Sequence, residues 1–152
     1  MLNTIGYEGA DLEDFIQTLV EADVDTLVDI RERAQSRRKG FSKTALSERL
    51  AENGISYIHM RELGDPKEGR EAARAGNWGK FRKVFQAVLK TDEAQSAIST
   101  ITNLSRSQNT CLLCYERDEK TCHRKIVSEI IEKKLKRKTR HLGVGQFERE
   151  AA

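Results

Sequence analysis

The densest group of reactive side chains lies late in the chain, in Cys111-Leu-Leu-Cys114-Tyr115-Glu116 and, after a charged turn, Thr121-Cys122-His123-Arg124. Thr121 reads as a helix N-cap, which puts Cys122, His123 and Arg124 in the first helical turn. Unpaired backbone N–H groups and the positive end of the helix dipole favour an anion there. The same field, with Arg124 beside it, lowers the pKa of a thiol. Cys122 is therefore open to three readings: a nucleophile, a redox-sensitive thiolate, or a small packing residue. His123 adjoins it in sequence, but adjacent helical residues need not face each other, which argues against a simple Cys–His dyad. Zinc is a further reading of this segment. Cys111 and Cys114, three apart on a strand, point to opposite faces and cannot share an ion. A site using only Cys114, Cys122 and His123 survives that objection but has weak support in the sequence, and neither a metal nor a cofactor is expected.

Other capable residues follow the ends of other apolar runs. Tyr7 and Glu8 come after the first, Asp29, Arg31 and Arg33 after the second, and His59, Arg61 and Glu62 after the third. Arg31 stands directly after a strand, where a guanidinium is well oriented to grip phosphate or carboxylate through two parallel bonds. Residues 31 to 43 place six cations, Ser36 and Ser42 around Gly40. Ser42 opens a helix, a second potential seat for phosphate, and Phe41 reads as an anchor of the loop on the core. Arg37, Arg38 and Lys39 read as a patch for a phosphate backbone.

The elements that must position these residues are legible from periodicity. Strands are expected over Leu2 to Tyr7, Thr26 to Ile30, Ile55 to Met60 and Asn109 to Tyr115, with a short last one at Thr139 to Leu142. Asp11 caps a helix carrying Phe15, Ile16 and Leu19 inward, and Ser42 caps one that Asn53-Gly54 ends. Asn77 and Asp92 start two more, and the helix after Thr121 buries Val127 and Ile131. Arg61 to Gly76, with Pro66, Gly64 and Gly69, reads as a surface loop with at most a helical turn near Ala72. The alternation predicts a Rossmann-like three-layer α/β/α sandwich with a mostly parallel sheet of about five strands. One domain over residues 1–142 and a polar tail over 143–152 are expected. In such a sheet the ligand crevice lies beyond the carboxyl ends of the strands, so the residues above should converge on one rim. Gly6-Tyr-Glu-Gly9 is not a dinucleotide fingerprint, and no Walker sequence is present.

Composition bounds the rest. The 152 residues are 38% hydrophobic and 34% charged, with the apolar residues in separated blocks, so a packed core rather than disorder is expected. No apolar run approaches the ~20 residues of a membrane span, and the start is neither basic nor long and apolar. A cytoplasmic protein without membrane contact is expected. Three cysteines make no disulfide framework, so reduced thiols are the expectation. Residues 31–43 carry +5, residues 117–140 carry +6, and the remainder −8 against an overall +3. Such segregation suits a polyanionic partner, nucleotide or nucleic acid.

In order along the chain, Thr4-Ile-Gly-Tyr-Glu-Gly9, Leu27-Val-Asp-Ile-Arg31, Ser36-Arg37-Arg38, Gly40-Phe-Ser-Lys43, Gly54-Ile-Ser-Tyr57, Leu63-Gly64, Leu112-Leu-Cys-Tyr-Glu116, Cys122-His-Arg124 and His141-Leu142 together resemble the domain-of-unknown-function family numbered 488. That resemblance implies a single compact α/β domain and names no reaction. It differs where family members often carry proline, at Arg33-Ala34. A fainter likeness to rhodaneses in Leu-Val-Asp-Ile-Arg-Glu32 falters at Cys114, which Tyr-Glu-Arg-Asp follows instead of a glycine-bearing cradle loop.

The functional expectation is a rim pocket for a phosphorylated ligand. Tyr7, Glu8, Arg31, Glu116, Cys122, His123 and Arg124 build it, with Ser36 and Arg37 also expected to bind the ligand. Arg31 and Arg124 hold phosphate, Glu8 and Glu116 orient polar groups or act as acid and base, and Tyr7 or Tyr115 stacks on a base. The alternatives are a thiol enzyme using Cys122 and a noncatalytic nucleic-acid adaptor using both basic clusters. Turnover, substrate and oligomeric state are not written in the sequence.

Overall fold

Uninterrupted apolar runs become the middle of the sheet. In the computed structural model, which describes residues 1–147, β1 (Leu2–Gly6), β2 (Thr26–Asp29) and β4 (Thr110–Cys114) are buried at every position. Strands covered on both faces need that pattern. The more exposed β3 (Ser56–His59) and β5 (Arg140–Leu142) form the edges, and all five run parallel in the order β3-β2-β4-β1-β5.

The helices complete three layers. On one face α1 (Leu12–Glu21) and α2 (Lys43–Glu52) bury Phe15, Ile16, Leu19, Leu46 and Leu50 against Ile5, Leu27, Cys111 and Leu113. On the other, α4 (Trp78–Leu89), α5 (Asp92–Ser107) and α6 (His123–Leu135) bury Phe85, Ile98, Ile101, Val127 and Ile131 against Leu2, Val28 and Leu112. The expected Rossmann-like α/β/α sandwich is the observed fold. Among the described residues, no helix is long and apolar enough to cross a membrane.

Local chemistry moves several boundaries. The Asp11 carboxylate accepts from the Glu13 and Asp14 amides, and Asn77 from the Lys80 amide, as their types predict. The α5 cap is Thr91 rather than Asp92, its hydroxyl accepting from the Ala94 amide. Thr121 does not cap α6 either. It closes a 3-10 turn over Glu119–Thr121, its hydroxyl donates to the Asp118 carbonyl, and Cys122 takes the cap position. The segment expected to be a loop contains a 3-10 turn at Arg61–Leu63 and α3 (Lys67–Arg74), which starts after Pro66. Only Gly69 and Ala72 of α3 are buried, so it lacks the apolar stripe that would announce a helix. Residues 143–147 run back along α1, with Gly145 N–H donating to Thr18 Oγ1 and Val144 against the core; residues 148–152 of the expected tail lie outside the described residues.

Candidate functional site

The sheet order places β2 beside β4, while the chain leaves β2 towards α2 on one face and β4 towards α6 on the other. Loops that diverge in this way leave a crevice between them. A hollow of about 560 Å³ opens there, a volume usual for small-ligand sites. Tyr7, Arg31, Ser36, Arg37, Tyr115, Glu116 and His123 line it, as does Cys114. Glu8, Cys122 and Arg124 do not. The third strand contributes no wall: His59 Nε2–H donates to the Arg31 carbonyl at 2.7 Å, and Glu62 faces a different depression beside Asp92.

Arg31 forms the floor as a strut. Its Nε and Nη2 donate to the two oxygens of Asp29 at 2.9 and 2.7 Å, and Nη1 donates to Tyr7 Oη at 3.2 Å and the Phe41 carbonyl at 2.7 Å. Asp29 is fully buried and also accepts from Tyr57 Oη. A buried carboxylate needs this much compensation. The phosphate-gripping role expected of Arg31 therefore gives way to fixing β2, Tyr7 and the basic loop. Pairing with Asp29 holds its pKa above the ordinary value despite the opposing effect of burial, and burial raises that of Tyr57.

The same strut orders the aromatics. Tyr7 is buried, stacked on Phe41 at 4.6 Å, with the Arg31 guanidinium 5.3 Å from its ring centroid. It has no face left for a base. Tyr115 meets Tyr7 edge-on at 5.3 Å and, at 45% exposed, keeps its ring open to solvent at the rim. Phe41 is the anchor expected of it.

Cations crowd the mouth. The Ser42 hydroxyl accepts from the Ser36 amide, Ser36 Oγ accepts from the Arg38 amide, and the Lys43 amide donates to Ala34. These bonds pin the basic loop and engage the groups at the start of α2 that were expected to seat phosphate. Arg33 and Arg37 bring the loop's charge to the hollow, Arg38 lines it with its Nη2 donating to the Ala10 carbonyl, and α3 adds Arg70 and Arg74, which sequence reasoning missed. Arg70 Nη1 bonds Glu32 and the Asp65 carbonyl. Arg33 and Arg37 form no hydrogen bond or ion pair among the described residues.

Two carboxyls face these cations. Asp65, also missed, is buried with Oδ1 lacking a hydrogen bond among the described residues, and burial pushes its pKa up to about 7. Gly69 permits this, because a Cβ there would collide with Oδ1. Burial also raises Glu116. Glu8, paired with Glu116 in the expectation, lies in the adjoining cleft beside Gly9 and Asp11, its Oε1 accepting from the Arg117 amide. The Asp65 value sits above the ordinary 3.8, so between about pH 4 and 7 the folded chain binds more protons than the unfolded one, and stability falls as pH rises through that window. Asp65→Asn is expected to flatten this limb and add about 1–2 kcal/mol at pH 8, since solvent in the hollow screens part of the penalty. Urea titrations across that range check it; an unchanged slope contradicts the assignment.

The start of α6 builds a second corner. Cys122 Sγ accepts from the Arg124 amide at 3.5 Å, so the cap itself holds the helix's free N–H that was expected to meet an anion. Arg124 is completely buried and turns back under the rim. Its Nη1 donates to Thr4 Oγ1 at 2.6 Å and Nη2 to the Glu116 and Arg117 carbonyls at 2.9 Å each, so it holds the loop after β4 and not a ligand. Thr4 in turn donates to His141 Nδ1. His123 Nε2–H donates to the Ile30 carbonyl at 2.8 Å, and burial lowers its pKa to about 4. The ring is neutral, with the Nδ1 lone pair 3.5 Å from Cys122 Sγ. Cys122 and Cys114 are joined as a disulfide with Cα atoms 7.4 Å apart, contrary to the expectation of reduced thiols. The 3-10 turn folds Cys122 back onto the end of β4, a proximity their eight-residue separation conceals. Cys111 is a free thiol buried on the opposite face.

These features define a class: an all-parallel, three-layer α/β protein with a basic crevice where neighbouring crossovers diverge. Residues 11–131 match the family model described as "Domain of unknown function DUF488", and the chain belongs to that family. No curated protein and no solved structure matches the chain.

Proposed function

We propose that the hollow binds a phosphorylated ligand of nucleotide size, free or as one unit of a nucleic acid, in a cytoplasmic setting. The observation that carries this reading is the convergence of Arg33, Arg37 and Arg74, together with Arg70 paired to Glu32, on one crevice that also holds the exposed ring of Tyr115. Guanidinium groups suit phosphate oxygens, and an aromatic face suits a base. Asp65, titrating at about 7, and Glu116 supply groups for proton transfer to a bound ester.

Geometry favours this over the alternatives. Lys133, Lys134, Lys136 and Lys138 lie at the far end of α6, roughly 20 Å along the helix from the rim. The lysines of the second basic cluster that lie beyond Glu132 are therefore remote from the crevice, and besides the buried Arg124 only Arg117, Lys120 and Lys125 of that cluster stand near the rim. As a nucleophile Cys122 is badly placed, being buried, capping α6 and joined to Cys114.

A thermal-shift screen of nucleotides and phosphate esters tests the proposal. Nucleoside phosphates are expected to stabilise the chain. Arg37→Ala with Arg74→Ala is expected to weaken binding about 10–100-fold, the loss of one or two charge-assisted bonds, and to flatten its salt dependence. Absence of stabilisation by any member, or affinity unchanged in the double variant, overturns it.

A further inference from the structure

A constellation that phosphate recognition does not use lies where β4 ends and α6 begins. Cys114 Sγ, Cys122 Sγ and an imidazole nitrogen of His123 come from buried residues and all lie within 4.8 Å of one another, with His123 Nδ1 3.5 Å from Cys122 Sγ. Each is oriented by its surroundings. The Ile30 carbonyl accepts from His123 Nε2–H and so leaves Nδ1 as the lone-pair nitrogen, the arrangement in which a histidine binds a metal through one nitrogen and a backbone group fixes the other. The Arg124 amide donates to Cys122 Sγ, a bond suited to a thiolate ligand. Phe85 packs edge-on against the imidazole at 5.2 Å and prevents it from swinging away. The Cα separation of 7.4 Å is wider than the ~4.4–6.8 Å that disulfides usually span. An ion with metal–sulfur bonds of about 2.3 Å holds two sulfurs farther apart than a covalent bond does.

We infer that Cys114, Cys122 and His123 form, in the reduced protein, a three-ligand site for a divalent cation of the zinc class, with its fourth position open to the hollow. Cys114 and His123 already line that hollow, so a fourth ligand, water or an oxygen of a bound molecule, has a path to the ion. Two thiolates and a neutral imidazole around a doubly charged ion sum to no net charge, which suits a buried corner and soft or borderline metals. Opening the disulfide takes two electrons and two protons, delivered by two molecules of a low-molecular-weight thiol that leave joined as their own disulfide. Coordination then releases the two thiol protons to solvent and forms two metal–sulfur bonds and one metal–nitrogen bond. Cys111, on the other face of the sheet, takes no part.

Cobalt(II) titration of the full chain, reduced with a phosphine and kept anaerobic, tests the site independently of phosphate binding. The expected result is one equivalent bound, with a thiolate-to-cobalt charge-transfer band and the visible bands of tetrahedral cobalt, both abolished by zinc. Cys111→Ser should leave the bands in place. Cys114→Ser and Cys122→Ser should each remove one of the two thiolates and with it about half of the charge-transfer intensity, and His123→Ala should weaken binding at least about tenfold and shift the visible bands. Thiol counting on the wild type gives a readout that needs no variant: zinc should protect two of three thiols from a colorimetric reagent. A reduced chain without the charge-transfer band, bands unaffected in a folded Cys122→Ser or His123→Ala variant, or a single titratable thiol persisting after phosphine treatment each overturns the inference.

Discussion

Arg31→Ala is expected to lower the unfolding free energy by about 3–5 kcal/mol with no ligand present. The reason is Asp29, which is fully buried and would lose both bonds from the guanidinium and its only ion-pair partner among the described residues. The Tyr57 hydroxyl and the Arg31 backbone amide are the donors that remain, too few for a carboxylate out of contact with water. Tyr7 and the Phe41 carbonyl lose a partner in the same change, so the basic loop loosens with the sheet end. Arg31→Lys should recover little, because an ammonium cannot reproduce the two parallel bonds. Urea denaturation is the direct measurement. A loss below about 1 kcal/mol, with phosphate binding abolished, would return Arg31 to the ligand-gripping role that its position after β2 first suggested.

Arg124→Met should cost about 1–2 kcal/mol although its volume nearly matches, the lost hydrogen bonds outweighing relief of a buried guanidinium whose Nε has no partner among the described residues. The carbonyls of Glu116 and Arg117 would lose their donor beneath the rim, and Thr4 would lose one of its two partners. A part-buried carbonyl left without its donor costs about 1 kcal/mol, at the low end of the range for unsatisfied groups. Hydrogen exchange should show residues 115–118 opening ahead of the rest of the sheet, and nucleotide affinity should fall with them, because Glu116 and Tyr115 would no longer be held at the hollow. A variant as stable as wild type, with unaltered exchange in this loop, contradicts the role.

What could be read from sequence divides along physical lines. Apolar runs such as Leu27-Val-Asp-Ile30 and stripes such as Phe15, Ile16 and Leu19 report burial directly, so the parallel sheet and most of its helices were legible. Position after a strand was legible too, and it gathered Tyr7, Arg31, Arg33, Cys114, Tyr115 and Glu116 at one rim, though not Glu8, His59 or Glu62. Partner choice was not. Arg31 and Arg124 are cations next to a crevice in sequence terms, and only the fold reveals that Asp29 and two loop carbonyls claim them. α3 was hidden for a different reason: a helix that buries only a glycine and an alanine leaves almost no periodic trace, and Asp65, Arg70 and Arg74 were hidden with it. The one cue available was Asp65-Pro66, a residue pair that commonly precedes a helix start.

The sheet order has a consequence for how the chain is made. β4 lies between β1 and β2, and those two strands share no pairing of their own. A nascent chain that has emerged only through β3 can pair β2 with β3, but β1 must wait with its backbone groups unmatched until residues 110–114 leave the ribosome. Closing a loop of that length before any reward is slow, so the N-terminal strand is the segment most in need of chaperone cover during synthesis.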